Sequence, residues 1–511
     1  MGWDTGSGGP GGTWGAQVLH PGARWPEKPA PRSHAPAFLA FAVVVVLVSL
    51  VAGVAFLGFG HDWNDAPTAW DPQVAPIATQ VAALRGLQFK HPVKVNYLTP
   101  DEFAKKVTSS PQELKDQEKA YAQQAALLRA AGLLGANVNL GDAINASQSA
   151  DVVAFYSFDT KQVYIRGTGP LTVETRVILA HELTHVLQDQ YFDIGKLRKA
   201  AIKSTTGSND ALTALIEGDA ERIKAKYLEA LPKSEQQEYD KLFQRTSDQA
   251  TQQAKGVPAV VEFVSGAPYV FGPPIVSIID EVGGNRAVDA ALRGPPPSTS
   301  MYFDPSAVND TVDPPPAPKV QTGEKLVPLF QGDTSFDAFQ LYLMLSARVD
   351  AADALRAIDG FAAGSSIVYD QGGAVCFRAA VRGRDGGASD YLLSLLKRWA
   401  KGMPGAAVES SSSVVVFHGC DAARRTPAPN DRAITQGVTL AAARDGFVQG
   451  IVQNNVPSAE AVCFSRVLFQ RPDVRLAVLA NRSLDHPSDQ MLAEGRAARQ
   501  ACESDVNAGR P

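Results

Sequence analysis

The sequence predicts an α+β protein in two outward-facing parts behind one membrane-spanning helix. Three observations carry that expectation. Short apolar-alternating stretches at residues 89–98 and 152–166 read as strands. Longer stretches at 171–194 and 210–231 carry apolar residues at helical spacing. Ahead of them, Ala35 to Gly60 holds no charged residue, which suffices to cross a hydrocarbon core of ~30 Å.

In chain order, residues 1–34 are rich in Gly, Pro and Trp without periodicity, and are expected to be a disordered tail. Arg24, Lys28 and Arg32 precede the apolar run; Asp62, Asp65 and Asp71 follow it. That asymmetry keeps the tail in the cytoplasm and sends the rest outside the cell membrane, with 35–60 as a retained anchor. The run and its leader are both too long for an ordinary cleaved signal peptide. Residues 61–84 are expected to be a linker. The chain's 511 residues exceed one ordinary core, so more than one domain is expected. A net charge of -5 with no basic cluster argues against a nucleic-acid partner.

A first domain is expected over 85–312. Phe89 to Leu98 alternates as a short strand. His91, before Pro92 at the start of that strand, is expected to be structural or exposed. Ser110-Pro111-Gln112-Glu113 is a capping box with Pro at N1, opening a helix to about Leu134. Val152–Phe158 and Gln162–Arg166 flank Asp159-Thr160-Lys161 as a hairpin. Thr172 then caps a helix that contains His181-Glu182-Leu183-Thr184-His185. Two His four apart on a helix project from one face, so both imidazoles reach one cation. A chain with only 8 His produces such a pattern rarely by chance. Glu182, beside the first His, would act on a water at that cation.

A site of this kind needs a third protein ligand. Asp210 reads as the N-cap of a helix reaching Leu231, ended by Pro232. Of its acids, Glu217 and Glu221 share a face, and Asp219 points elsewhere. Glu217 is taken as the third ligand. Glu221, one turn on, is placed to hydrogen-bond a ligand His from behind. Ala214, Gly218 and Ala225 would let this face pack closely against the His helix. Past Pro232, Val260–Val264 and Ile275–Leu292 read as two further helices that close the lower part of the domain.

H-E-x-x-H on one helix and a Glu on a second resemble the gluzincin group of zinc metallopeptidases, the thermolysin-like arrangement. The resemblance covers about residues 85–232 and is strongest at 176–221. It implies a zincin-like fold: a small sheet, the H-E-x-x-H helix and the Glu helix. It also implies one Zn2+ per chain on His181, His185 and Glu217, and Glu182 as general base in hydrolysis of peptide or protein substrates. It further implies that the strand just before the His helix is the sheet edge on which an extended substrate adds. The chain departs from the pattern at Ile216, where an Asn is usual, and at Glu221, where an Asp is usual. The family's oxyanion-stabilising Tyr or His has no clear match. Tyr269 is the candidate chosen; Tyr191, nearer in sequence, is expected to pack against the core.

Pro-rich residues 313–322 separate a second, mixed α/β part over 323–511. Helices are expected at 338–358 and 485–502, and strands at 368–369, 374–381 and 414–418. Its four cysteines, Cys376, Cys420, Cys463 and Cys502, include no C-x-x-C pair and suit two disulfides outside the membrane. Three pairings are possible; strand-like Cys376 with Cys420, and helix-like Cys463 with Cys502, is the one favoured. His418 beside Cys420 is expected to be structural. The whole reads as a membrane-anchored, outward-facing zinc metallopeptidase. The alternative is a catalytically inactive envelope scaffold that keeps the same fold.

Overall fold

The computed structural model describes residues 66–148, 152–202, 208–253, 255–310, 312–330, 334–480 and 489–507. The expected tail at 1–34 and anchor at 35–60 lie outside the described residues. Within them the protein is mixed α and β, dominated by helix.

The first helix, α1 (Ala75–Arg85), falls in the stretch expected to be a linker. Pro76 in its first turn and Gly86 at φ 70° just beyond it bound the helix. Val74, Ile77 and Val81 are buried in the core. Strand β1 (Val95–Leu98) is shorter than expected, because Pro92 cannot donate to a ladder. Helix α2 (Pro100–Val107) follows, capped by Thr99 and Glu102. The Ser110/Glu113 capping box forms, but the expected long helix divides into α3 (Pro111–Asp116) and α4 (Glu118–Ala130) at Gln117, whose φ/ψ of −98°/0° leave the helical region. Helix α5 (Leu140–Gln148) precedes the hairpin of β2 (Ala154–Ser157) and β3 (Gln162–Arg166), with Lys161 at φ 56° in its turn.

The sheet order is β1-β3-β2, with β3 parallel to β1 and antiparallel to β2. The strand just before the His helix is therefore the central one, hydrogen-bonded on both sides, and the substrate-edge expectation is corrected: β1 and β2 are the edges.

Helix α6 (Val173–Phe192) carries the H-E-x-x-H residues and is capped by Thr172, which accepts from the Thr175 amide. Then come α7 (Ile194–Ile202), α8 (Ser208–Glu229) and α9 (Lys233–Gln253). Asp210 lies inside the first turn of α8 and is not its cap. Helix α10 (Ala259–Arg293) joins the two helices expected around Pro268, Pro273 and Pro274, and breaks instead at Gly284 (φ 64°). It is the one helix among the described residues long and apolar enough to cross a membrane, yet most of it is buried inside the protein.

The later part builds on a five-stranded antiparallel sheet of order β4-β5-β6-β8-β7: β4 (Glu324–Leu326), β5 (Phe361–Gln371), β6 (Ala374–Gly383), β7 (Ala407–Ser411) and β8 (Val414–Cys420). The helix expected at 338–358 is split by the Asp350 cap into α11 (Ala338–Ser346) and α12 (Ala351–Asp359). Helix α13 (Gly386–Lys401) buries Leu392, Leu396 and Trp399, the last against Phe377 and Phe417. Four helices close the chain: α14 (Asp431–Val452), α15 (Ser458–Phe469), α16 (Pro472–Leu479) and α17 (Asp489–Asn507). Cys376 and Cys420 are bonded across β6 and β8; Cys463 and Cys502 tie α15 to α17. This is the like-with-like pairing. The disulfides point to an oxidising, extracytoplasmic compartment.

One continuous hydrophobic cluster runs through both parts of the chain. Arg129 of α4 forms an ion pair of 2.8 Å with Asp421, and Trp399 Nε1 donates to the Ala131 carbonyl. Gln449 of α14 donates to Ser277 of α10 at 3.0 Å. The Pro-rich segment at 313–322 separates stretches of sequence that share a core.

Candidate metal centre

Helix α6 delivers His181 and His185 from one face, and α8 crosses it to deliver Glu217. All three side chains are buried, with Glu217 at 0% exposure, and one ligand atom from each lies within 4.8 Å of the others. His181 Nε2 and His185 Nε2 are 3.0 Å apart. Glu217 Oε2 sits 3.2 Å from the first and 3.3 Å from the second. Both Glu217 oxygens nevertheless lack a partner with hydrogen-bond geometry. Two imidazole nitrogens and a carboxylate that converge in a buried pocket, the carboxylate without a hydrogen-bonding partner, are what a cation with N and O ligands requires.

The protonation pattern fits as well. The Gln188 amide donates to the Ile216 carbonyl at 2.9 Å and to Asp219 at 3.1 Å. Its oxygen therefore faces His185 Nδ1, 2.9 Å away, which must carry the hydrogen. That leaves the His185 Nε2 lone pair free for a ligand bond. His181 Nδ1 lies 3.1 Å from Glu221 Oε1, and Glu221 is paired in turn with Lys224. Burial alone would lower the His181 pKa, but Glu217 and Glu221 outweigh it and raise it to about 10. Burial likewise works against ionised Glu221, yet Lys224 and His181 hold it down at about 2. Glu217 is held well below the usual carboxylate range: His185 and His181 overcome its burial.

Glu182 is buried beside the three ligands and does not converge with them. Its Oε2 accepts the Tyr156 amide of β2 at 2.7 Å. Burial raises its pKa, partly offset by the two His and by that amide. Asp189, one turn past His185, accepts from the Tyr156 hydroxyl at 2.7 Å and from Lys161 at 2.6 Å, which ties the hairpin to the helix.

The acids of α8 do not form a solvated face. Asp219 points away from the His pair, as its position implies, and is buried against Arg85 of α1 at 2.8 Å and Arg222 at 2.8 Å. The small-residue face expected to meet α6 packs on α10 instead. A Cβ on Gly218 would lie 2.3 Å from the Gly272 carbonyl oxygen, and one on Gly272 would lie 2.2 Å from that of Ala214. Ala225 is exposed. This backbone contact brings Tyr269 of α10 to the centre. Its ring lies parallel to His181, centroids 6.2 Å apart, and burial followed by the Glu217 charge raises its phenol well above the ordinary value.

The other candidates lie elsewhere. Tyr191 donates to the Gln88 carbonyl, with Lys90 over its ring. His91 Nδ1 lies 3.1 Å from the Pro92 carbonyl oxygen. His418 pairs across the second sheet with Arg378 and Ala407, and Cys420 is in a disulfide. Sequence reasoning missed Gln188, which faces His185 from three residues on in the same helix and donates to Ile216 and Asp219 of α8. It also missed Phe158, whose ring packs on His185 at 5.7 Å, and Arg198, whose guanidinium lies over Phe158 at 4.8 Å from its centre. Two missed residues had a local signal: Lys224 lies three residues after Glu221, and Gln188 three residues after His185.

No protein-family model, curated protein or solved structure matches this chain.

Proposed function

We propose that this protein is a zinc metallopeptidase of the thermolysin-like kind, held on the outer face of a membrane by residues 35–60. The observation that carries the reading is the buried convergence of His181, His185 and Glu217, with Glu182 alongside and outside the ligand set. The His2Glu donor set suits zinc best among the common metals. Bound there, zinc would polarise the scissile carbonyl and make water acidic enough to attack near neutral pH.

The chain's own groups supply the rest. Glu182 takes the proton of the attacking water and passes it to the departing amine. Its raised pKa suits both halves of that transfer, and the Tyr156 amide fixes its orientation. The Tyr269 hydroxyl, kept protonated by burial, donates to the developing oxyanion. Gln188 and Glu221 orient the two His from behind. Edge strand β2 lies beside Glu182, and an extended peptide added there would place a carbonyl at the centre.

The test is metal analysis of the purified chain together with a broad peptide library. The expected result is about one zinc per chain and cleavage, with Glu182→Gln keeping the zinc and losing the cleavage. A chain that holds zinc and cleaves nothing across the library is the inactive scaffold, and overturns the reading.

A further inference from the structure

Arg198 of α7 is a charged group in the wall of the centre for which the ligand set has no use. Its guanidinium carbon lies 4.8 Å from the centre of the Phe158 ring, which also packs on His185. Its Nε and Nη2 are buried and hydrogen-bond to nothing. A guanidinium has five donors in a rigid fork, and burying them without acceptors is costly, so such groups are rare unless something outside the chain satisfies them. Burial lowers its pKa, and the groups that counter this are Glu217, Tyr269, Asp189 and Asp159. The first two belong to the centre. Asp189 is already bonded to Lys161 and the Tyr156 hydroxyl.

Charge balance sharpens the point. A divalent cation at the three ligands would take up the negative charge of Glu217, and that of Glu182 beside it. Lys224 neutralises Glu221, and Lys161 neutralises Asp189. Arg198 is then a positive charge at the centre that feels Asp159 but forms no ion pair among the described residues, and its Nε and Nη2 have no acceptor. Its fork matches the two oxygens of a carboxylate.

We propose that Arg198 is a substrate-binding residue that grips a carboxylate of the substrate close to the scissile bond, so that the preferred substrates are peptides carrying an anionic group there. This rests on the metallopeptidase reading and names its substrate class. The carboxylate has two sources, a free C-terminus or an acidic side chain.

The test measures binding by calorimetry to the zinc-loaded full chain carrying Glu182→Gln, so that ligand survives. Three probes are used: N-acetyl-Ala-Phe-Ala with a free carboxylate, its C-terminal amide, and that amide with Glu as the last residue. At least one acid form should bind roughly 10- to 100-fold more tightly than the neutral amide, the range of a charge-assisted hydrogen-bonded pair. Which acid form gains identifies the source. Adding Arg198→Met should bring the acid-to-amide ratio close to one, and Arg198→Lys should restore part of it. On the chain with Arg198 intact, free acetate should compete with the favoured acid probe more strongly than with the neutral one, a readout that needs no change at Arg198. A ratio near one with Arg198 intact, or a ratio that Arg198→Met leaves unaltered, overturns the proposal. Failure of the underlying reading looks different: the wild-type chain cleaves nothing while the Arg198-dependent ratio persists.

Discussion

His181 is where a proton and a cation compete. With its pKa raised to about 10, the imidazole is protonated at neutral pH in the metal-free protein. Because the folded pKa lies above the unfolded one, the stabilisation is fully present below about 6.5. It declines as pH rises from there through about 10. Metal-free protein should therefore lose stability from this group across that window, and zinc-loaded protein should not, as thermal melts at several pH values would record. Zinc binding at pH 7 should release close to one proton, visible as a dependence of the calorimetric heat on buffer ionisation enthalpy. Glu217→Ala should weaken zinc binding, and unchanged affinity would remove Glu217 from the ligand set. Tyr269→Phe should cost about 10²–10³-fold in kcat with little change in KM, the scale of one lost oxyanion donor. The convergent residues were legible in the sequence because helical spacing alone puts His181, His185, Glu217 and Glu221 on the right faces. Arg198 was not, because what it touches is set by tertiary packing; Gln188 sits at helical spacing from His185, but its partners on α8 leave no mark in local spacing.

Among the elements, the crossing of α8 and α10 fixes the centre. Gly218 and Gly272 allow the two backbones to touch, and neither can accept a Cβ without moving the other helix. Gly272→Ala should destabilise the fold by about 1–3 kcal/mol, the range for overpacking. It should also shift Tyr269, so that turnover falls further than melting temperature alone would account for. The hairpin, the Thr172 cap and the Ser110/Glu113 box were readable because each rests on neighbouring residues. The continuity of α10 was not. Its three prolines read as stops, and burial against α8 and α14 overrides them. Helix α1 was passed over as linker although Pro76 and Gly86 mark both its ends.

For the molecule as a whole, the shared core means that the two stretches of chain should unfold together. Trp399, fully buried where the second sheet meets the first part, should cost about 3–5 kcal/mol when changed to Ala. That loss should lower the zinc-bound and zinc-free melting temperatures alike, in a single transition followed by calorimetry. A separate, unaffected transition for the metal centre would refute the common core. Sequence reading divided the chain at its prolines because composition changes there; long-range contacts such as Arg129 with Asp421 leave no trace in composition. The contact between α10 and α14 also sets an order in time. Helix α10 brings Tyr269 to the centre and leans, at Ser277, on α14, which is translated more than a hundred residues later. A nascent chain carries the His pair and the glutamate long before it carries the wall that seats Tyr269. The centre is thus completed only after α14 has been synthesised, and a chain released before that helix is left without its support.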